Sequence, residues 1–223
     1  MTVPDSKPRL FCFGLGYSAG RLARQLLAEG WIVAGTCQSP DRQAELTALG
    51  INAVIFGPDR PLADAPSALS GATHLLGSVP PDENGDPVLA RHGSDIEAME
   101  GVSWVGYLSS TGVYGDTGGK PVSEDSDVNP TSDRGRYRTE AEAAWLALAS
   151  DHRLPVHVFR LAGIYGPGRS ALDQVRAGRA KRIDKPGHMF SRIHVDDIAQ
   201  VLKASMDRPD PGTVSDHIFA EDG

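Results

Sequence analysis

A chain of 223 residues, 40% of them hydrophobic, is long enough for one large domain with a buried core. Its formal net charge of −7 argues against a nucleic-acid partner, which needs a cationic surface. No apolar run approaches the ~20 residues of a membrane helix, the start MTVPDSKP lacks the apolar stretch of a signal peptide, and two cysteines fit a reducing, cytoplasmic setting.

In chain order, 9–13 reads as a strand that runs at once into a Gly-rich turn. Residues 17–29 read as a helix, with Leu22, Ala23, Leu26 and Leu27 on one stripe and Gly30 as its stop. A strand at 31–36, a helix at 40–49 and a strand at 51–56 follow. The Pro- and Asp-rich stretch 57–71 holds one short helix, and 73–78 is a fourth strand ended by Pro80 and Pro81. A fifth strand at 102–109 precedes the longest helix, 133–150, whose inner stripe is Tyr137, Ala141, Ala144, Trp145 and Leu148. A strand at 155–161, a helix at 195–206 and a last strand at 217–220 complete the pattern. Cys12 and Cys37 fall in strands and are expected as buried free thiols. The basic run 176–185 is either a solvated helix end and loop or an anion-binding flank of the site.

Alternating strands and helices predict βαβ units, right-handed crossovers and an α/β, doubly wound parallel sheet of about seven strands with helices on both faces. Ligands in such sheets bind at the strands' carboxyl ends, at the switch point. The chain reads as a single domain, 1–223, in which 169–194 and 207–223 form a small, truncated C-terminal substrate lobe.

The turn Gly14-x-Gly16-x-x-Ala19 follows a strand and opens a helix, the context of a Rossmann dinucleotide-binding loop. Gly14 permits the tight turn, Gly16 lets a pyrophosphate approach the backbone, and small Ala19 lets helix and strand pack closely. Tyr17 and Ser18 lie in the same loop, where the helix N-terminus offers free N–H groups to phosphate. An Asp or Glu ending the second strand ordinarily holds the ribose of NAD. Here that strand ends without a carboxylate before Asp41, whereas Thr36, Gln38 and Ser39 suit a phosphate and Arg42 its charge. The expected cofactor is therefore NADP, with NAD as the alternative.

Three further stretches carry a family pattern: YLSSTGVYG at 107–115, FRLAGIYGPG at 159–168 and RIHVDDIA at 192–199. In that order, behind the Gly-rich loop, they resemble the extended short-chain dehydrogenases/reductases, and within them an atypical subgroup of the NAD-dependent epimerase/dehydratase-like proteins. The resemblance implies that Ser78, Val79 and Pro80 lie beside the adenosine-side ribose and the bridging groups. It also implies that Tyr165, Gly166 and Pro167 lie near the nicotinamide. The substrate it suggests is a small carbonyl compound or sugar nucleotide, and it suggests a homodimer formed through the long helix.

Catalysis in that family depends on Tyr-x-x-x-Lys at the start of the long helix, plus a Ser. Ser110 fits the Ser place, but aligning Pro130 and Ala141-Glu142 puts Arg134 where Tyr should be and Arg138 where Lys should be. A guanidinium keeps its proton and cannot relay one. Tyr137 lacks a Lys partner one turn on and suits packing. Two readings follow. Either an oxidoreductase or epimerase uses another acid or base, with Tyr114, Tyr165, His194 and Asp116 as candidates, histidine titrating near neutrality. Or the pocket binds NADP without turnover as a regulatory module, with Arg134 and Arg138 covering the helix start or jointly holding an anion. Family members continue for several dozen residues beyond the equivalent of Gly223, so part of the substrate wall is expected to be missing.

Overall fold

A computed structural model describes residues 7–180, 190–211 and 214–217. The strands are β1 (Arg9–Phe13), β2 (Ile32–Cys37), β3 (Asn52–Ile55), β4 (His74–Gly77), β5 (Trp104–Ser110), β6 (Val156–Leu161), β7 (Gly163–Tyr165), β8 (Arg192–His194) and β9 (Val214–His217). The helices are α1 (Tyr17–Ala28), α2 (Pro40–Ala48), α3 (Ala65–Leu69), α4 (Pro87–Glu97), α5 (Asp133–His152), α6 (Ala171–Arg176) and α7 (Val195–Asp207).

The main sheet is parallel throughout, in the order β3-β2-β1-β4-β5-β6-β9, so the fold is the doubly wound α/β sheet the sequence implies. β7 and β8 pair separately. The order reverses between β1 and β4, which makes the carboxyl end of β1 the switch point.

β1 is covered on both faces, and its pleat explains how. Leu10 and Cys12 point into one core with Leu22 and Leu26 of α1, Leu46 of α2 and Ile198 and Leu202 of α7. Phe11 and Phe13 point into the other, with Leu69 of α3, Val88 and Ile96 of α4 and Trp145 of α5. Cys12 and Cys37 are buried free thiols, and burial holds both above the ordinary thiol range.

The sequence pattern misses α4. A Gly at position 93 and turn residues at 82–85 mask its period, yet its start is written plainly. Asp86 caps it, accepting from the N–H of Val88 at 2.8 Å and Leu89 at 3.1 Å, and Pro87 takes the first helical position. The expected inner stripe of α5 is also corrected. Ala144 is exposed and Tyr137 half-buried, whereas Gly135, Ala141, Glu142, Trp145 and Leu148 are buried. Glu142 is inside because Arg160 neutralises it there.

The last strand lies earlier than 217–220, at Val214–His217, and 218–220 are outside the described residues. So are 181–189, 212–213 and 221–223, which removes much of the expected substrate lobe and half of the basic run from view. Arg176, at the start of that run, stands 3.9 Å from Asp173 on α6. Among the described residues no helix is long and apolar enough to cross a membrane.

Candidate functional site

The Gly-rich turn leaves β1 at the switch point. Gly14 has φ +91°, and a side chain there would come within 3.1 Å of Val79 Cγ2, so the segment after β4 backs the turn directly. The Ser78 N–H donates to Phe13 O at 2.9 Å and fixes that segment. The Gly14 N–H donates to Thr36 Oγ1 at 2.8 Å, and the Leu15 N–H to Thr36 O at 2.8 Å. Thr36 is 1% exposed, so it braces the turn from below instead of offering its hydroxyl as a phosphate acceptor's partner at the surface. Gly16 is the N-cap of α1. No side chain caps this helix, and a Cβ on Gly16 would meet nothing within 4 Å. An open, uncapped helix N-terminus with a bare α-carbon is a cradle for an anion. Ser18 and Ala19 lie buried beneath it.

A cleft of about 530 Å³ extends from Gly16 past Tyr17, Arg21, Arg24 and Arg42 to Pro167 and Val195. Tyr17 spans it. Its hydroxyl donates to Pro167 O at 3.0 Å, and the Arg169 guanidinium lies 5.6 Å from its ring centre. Gly166, at φ +149°, passes so close that a Cβ there would stand 2.7 Å from Tyr17 Oη. The Gly-rich turn and the Gly166–Pro167 loop, joined through a pair 150 residues apart, are thus brought together. Ser39 caps α2 by accepting from the Arg42 N–H at 3.3 Å, and Arg42 reaches Glu45 at 2.7 Å. Gln38 and Pro80 are exposed, and Ser78 and Val79 half-buried.

Tyr165 and His194 face one another across the β7–β8 pair, their ring centres 5.0 Å apart and nearly perpendicular. His194 caps α7, its Nδ1 accepting from the Asp196 N–H at 3.3 Å. A neutral imidazole that accepts at Nδ1 carries its proton on Nε2. That Nε2 lies 3.2 Å from where a Cβ on Gly166 would stand, so it faces the loop under Tyr17. Asp196 Oδ2 is 3.8 Å from His194 Nδ1, and the same carboxylate binds the Arg21 guanidinium.

The other candidates are placed differently. Ser110 ends β5 and caps the short 3₁₀ turn Thr111–Tyr114 by accepting from the Gly112 N–H at 3.2 Å. Tyr114 is 4% exposed and accepts from Arg160 Nη1 at 2.6 Å, with the guanidinium 4.9 Å from its ring centre. It therefore belongs to the interior and not to the Tyr165–His194 corner. Arg160 also pairs with Glu142 at 2.9 Å, and Ser109 Oγ donates to Glu142. This buried Ser109–Glu142–Arg160–Tyr114 network was missed by sequence reasoning. Its signal is an Arg in the buried run Val-His-Val-Phe-Arg-Leu of β6, since such a charge is buried only with a partner.

Arg134 is exposed, but Arg138 donates to Leu108 O at 2.7 Å and Tyr107 Oη at 3.1 Å. The joint anion contact expected of Arg134 and Arg138 is not formed: Arg138 is tied to the end of β5. Burial pushes the Tyr107 phenol up, out of the range in which it could exchange a proton near neutrality. Asp116 is exposed and turns back to accept from the Gly118 N–H at 2.9 Å.

With this geometry in place, the comparisons are consistent with one another. A model of the NAD dependent epimerase/dehydratase family matches residues 96–219. The chain is 48% identical to a solved structure of a functionally unknown conserved protein from Silicibacter pomeroyi, with a TM-score of 0.86 over 96% of this chain and 73% of that one. It is 28% identical over 212 residues to Protein YeeZ of Escherichia coli, covering 90% of this chain and 74% of that protein. It shares its fold with UDP-glucuronic acid 4-epimerase from Bacillus cereus, solved in complex with NAD, at 16% identity and a TM-score of 0.78 over 96% of this chain and 79% of that one.

Proposed function

The chain belongs to the NAD-dependent epimerase/dehydratase family, and from that premise we propose that it binds NADP, with NAD as the weaker ligand, and acts as an oxidoreductase or epimerase on a small carbonyl compound or sugar nucleotide. The observation that carries this is the uncapped start of α1, where Gly16 opens a bare α-carbon onto the cleft. The fit to a dinucleotide rests on two more features of the chain. Backbone N–H groups and a helix dipole meet the pyrophosphate, and three arginines stand along the same cleft where a ribose-binding carboxylate is lacking. The UDP-glucuronic acid 4-epimerase that shares the fold is itself described in complex with NAD.

When bound, the nicotinamide gives or takes a hydride. The chain's own residues would then hold the reacting carbon and move a proton. His194 is the group to do so, with its Nε2 proton facing the Gly166 loop and its ring held by the Asp196 N–H and the edge of Tyr165. Ser110 would hold the substrate oxygen, although its hydroxyl also caps the turn that follows. Arg134 and Arg138 take no part in proton transfer. A homodimer would form on the exposed side of α5, around Glu140, Ala143 and Ala144.

Calorimetric titration with NADP and NAD tests the binding step. Turnover is tested by NADPH oxidation and by epimerised product across a panel of carbonyl compounds and sugar nucleotides, with His194→Ala beside the parent. Activity that survives His194→Ala unchanged refutes its role. One observation favours a second reading, a non-catalytic NADP-responsive module: Arg138, at the place the resemblance gives to the family's Lys, is spent on Leu108 O and Tyr107 Oη. Tight NADP binding without turnover on any substrate would establish that reading.

A further inference from the structure

One ring nitrogen of His194 stands before two groups with opposite demands. The Asp196 N–H lies 3.3 Å from Nδ1 and needs its lone pair, which leaves the proton on Nε2. The Asp196 carboxylate lies 3.8 Å from the same Nδ1 and needs a proton there, which would leave the lone pair on Nε2. Both groups belong to one residue, so the choice falls to whatever holds the carboxylate. That group is Arg21, reaching over from α1. Its Nε donates to Asp196 Oδ1 and its Nη2 to Oδ2 at 3.0 Å. A carboxylate gripped at both oxygens by a guanidinium is a poor acceptor for a third partner, and Nδ1 keeps its lone pair for the N–H.

We propose that Arg21 and Asp196 are positioning residues that set the tautomer of His194, and that an anion at Gly16 reverses it by drawing Arg21 off the carboxylate. The proposal rests on the dinucleotide-binding reading and adds how occupancy of the cradle reaches the proton-moving group. Arg21 lines the cleft that begins at Gly16 and also the neighbouring groove of about 410 Å³, which is shared with Asp196, Ala199 and Gln200 of α7. Its side chain is 48% exposed and that of Asp196 36%, and a pair so open to water is easily exchanged. A pyrophosphate, with two charges, holds a guanidinium better than one carboxylate does.

The released carboxylate then accepts from Nδ1. One proton leaves Nε2 for water and one is taken up at Nδ1, so the ring stays neutral and keeps its place at the edge of Tyr165. Nε2 is the atom that faces the Gly166 loop: a Cβ on Gly166 would stand 3.2 Å from it and 2.7 Å from Tyr17 Oη. With its proton, Nε2 is a donor toward that loop. With its lone pair, it is a base. His194 thus becomes able to take a proton from a substrate only while the cradle is filled.

The test is the His194 tautomer, read by NMR from the ring nitrogen shifts of the histidine-labelled full chain at a pH where the ring is neutral, the signal being identified by its loss in His194→Gln. The parent is expected with its proton on Nε2. Arg21→Gln moves the tautomer ratio about three- to tenfold toward Nδ1–H, since one exposed charged contact is lost. Arg21→Lys keeps a charge on the carboxylate and stays with the parent. Asp196→Asn keeps the N–H and loses the charge, so Nε2–H persists, and adding Arg21→Gln to it changes nothing further. Saturating NADP or NAD moves the parent in the direction of Arg21→Gln. An unchanged ratio in Arg21→Gln, with a thermal melt showing a folded chain, overturns the proposal, as does the same shift in the Asp196→Asn background. A dinucleotide that binds by calorimetry and leaves the ratio unmoved overturns the switch. If neither dinucleotide binds, the dinucleotide reading falls and the switch with it, while Arg21→Gln still decides whether Arg21 sets the tautomer.

Discussion

Replacing Gly16 with Ala separates the cofactor cradle from the stability of the fold. The added Cβ meets no atom within 4 Å, and the position has φ −82° and ψ −150°, which an L-residue adopts without strain. Two small effects on folding oppose each other. Ala is a poorer N-cap than Gly, and Gly→Ala lowers the entropy of the unfolded chain by about 0.4–1 kcal/mol. The net change is within about 1 kcal/mol, a shift in Tm of less than roughly 4 °C for a domain of this size. The ligand meets a different situation. The methyl group stands where the pyrophosphate approaches the N–H groups of α1, and the loss of one such charged hydrogen bond is about 1.5–3 kcal/mol. Dinucleotide affinity therefore falls about tenfold to hundredfold. Calorimetric titration with NADP beside a thermal melt measures both quantities on one sample. An unchanged Kd with an unchanged Tm would refute the placement of the pyrophosphate at Gly16. Gly14→Ala cannot serve instead, because φ +91° and the 3.1 Å approach to Val79 damage the fold as well.

Acid weakens the fold through His74, which is 8% exposed and wedged between Trp31 and Trp104. Burial, with the nearby Lys203 charge, lowers its pKa to about 4. The unfolded chain takes up that proton near pH 6.5 and the folded chain only near 4, so the contribution is complete above about 6.5 and is lost as pH falls through this window, reaching about 2 kcal/mol by pH 5. His157 is lowered by burial too and acts in the same sense. The difference in urea midpoint between the parent and His74→Phe, followed from pH 7.5 to 5, checks this, and a constant difference contradicts it. Glu142→Ala leaves Arg160 charged and 6% exposed with no carboxylate, at a cost of about 3–5 kcal/mol, or roughly 10 °C in Tm by scanning calorimetry. A loss below about 1 kcal/mol would show that the pair is not what holds Arg160 inside. Tyr17→Phe keeps the ring over Gly166 and removes only the bond to Pro167 O, so it lowers stability by about 1 kcal/mol. A melt shows that loss, and a Tm drop near that of Glu142→Ala would mean the clasp holds more of the fold than one hydrogen bond.

What could be read in the sequence follows from which forces write a local signature. The β1–turn–α1 unit is legible because Leu10 to Phe13 must be apolar on both faces and Gly14 must be Gly at its φ. The helix α4 is hidden by Gly93 and by a kink at His92, although the Asp86-Pro87 start satisfies every rule for an N-cap. Tyr114 and Tyr165 both stand in an apolar-Tyr-Gly turn, yet one is buried against Arg160 and the other stands beside His194. Nothing local distinguishes them. The partners lie 46 and 29 residues away, and only the pairing of β7 with β8 and the course of β6 bring them close. Arg138 is a similar case: its side chain is decided by Leu108 O and Tyr107, which are 30 and 31 residues upstream.

The same distinction separates the Gly-rich turn from the side chains of α5. The Gly-rich turn is built from main-chain geometry: the φ of Gly14, the free N–H groups at the start of α1 and the bond from the Gly14 N–H to Thr36. None of these depends on what stands on α5. On the alignment read from the sequence, the proton chemistry of the family would fall to the places of Arg134 and Arg138 on that helix, and Arg138 is turned onto the end of β5. On the proposed reading, binding and turnover are therefore separable, since the first would be carried by the backbone of β1–α1 and the second by side chains. If His194 has taken over the proton, its substitution abolishes turnover and leaves most of the NADP affinity in place, because the cradle at Gly16 is built from main-chain N–H groups and takes no atom of His194. A parallel loss of NADP affinity in His194→Ala would show instead that the histidine belongs to the cofactor site and that the proton is moved elsewhere.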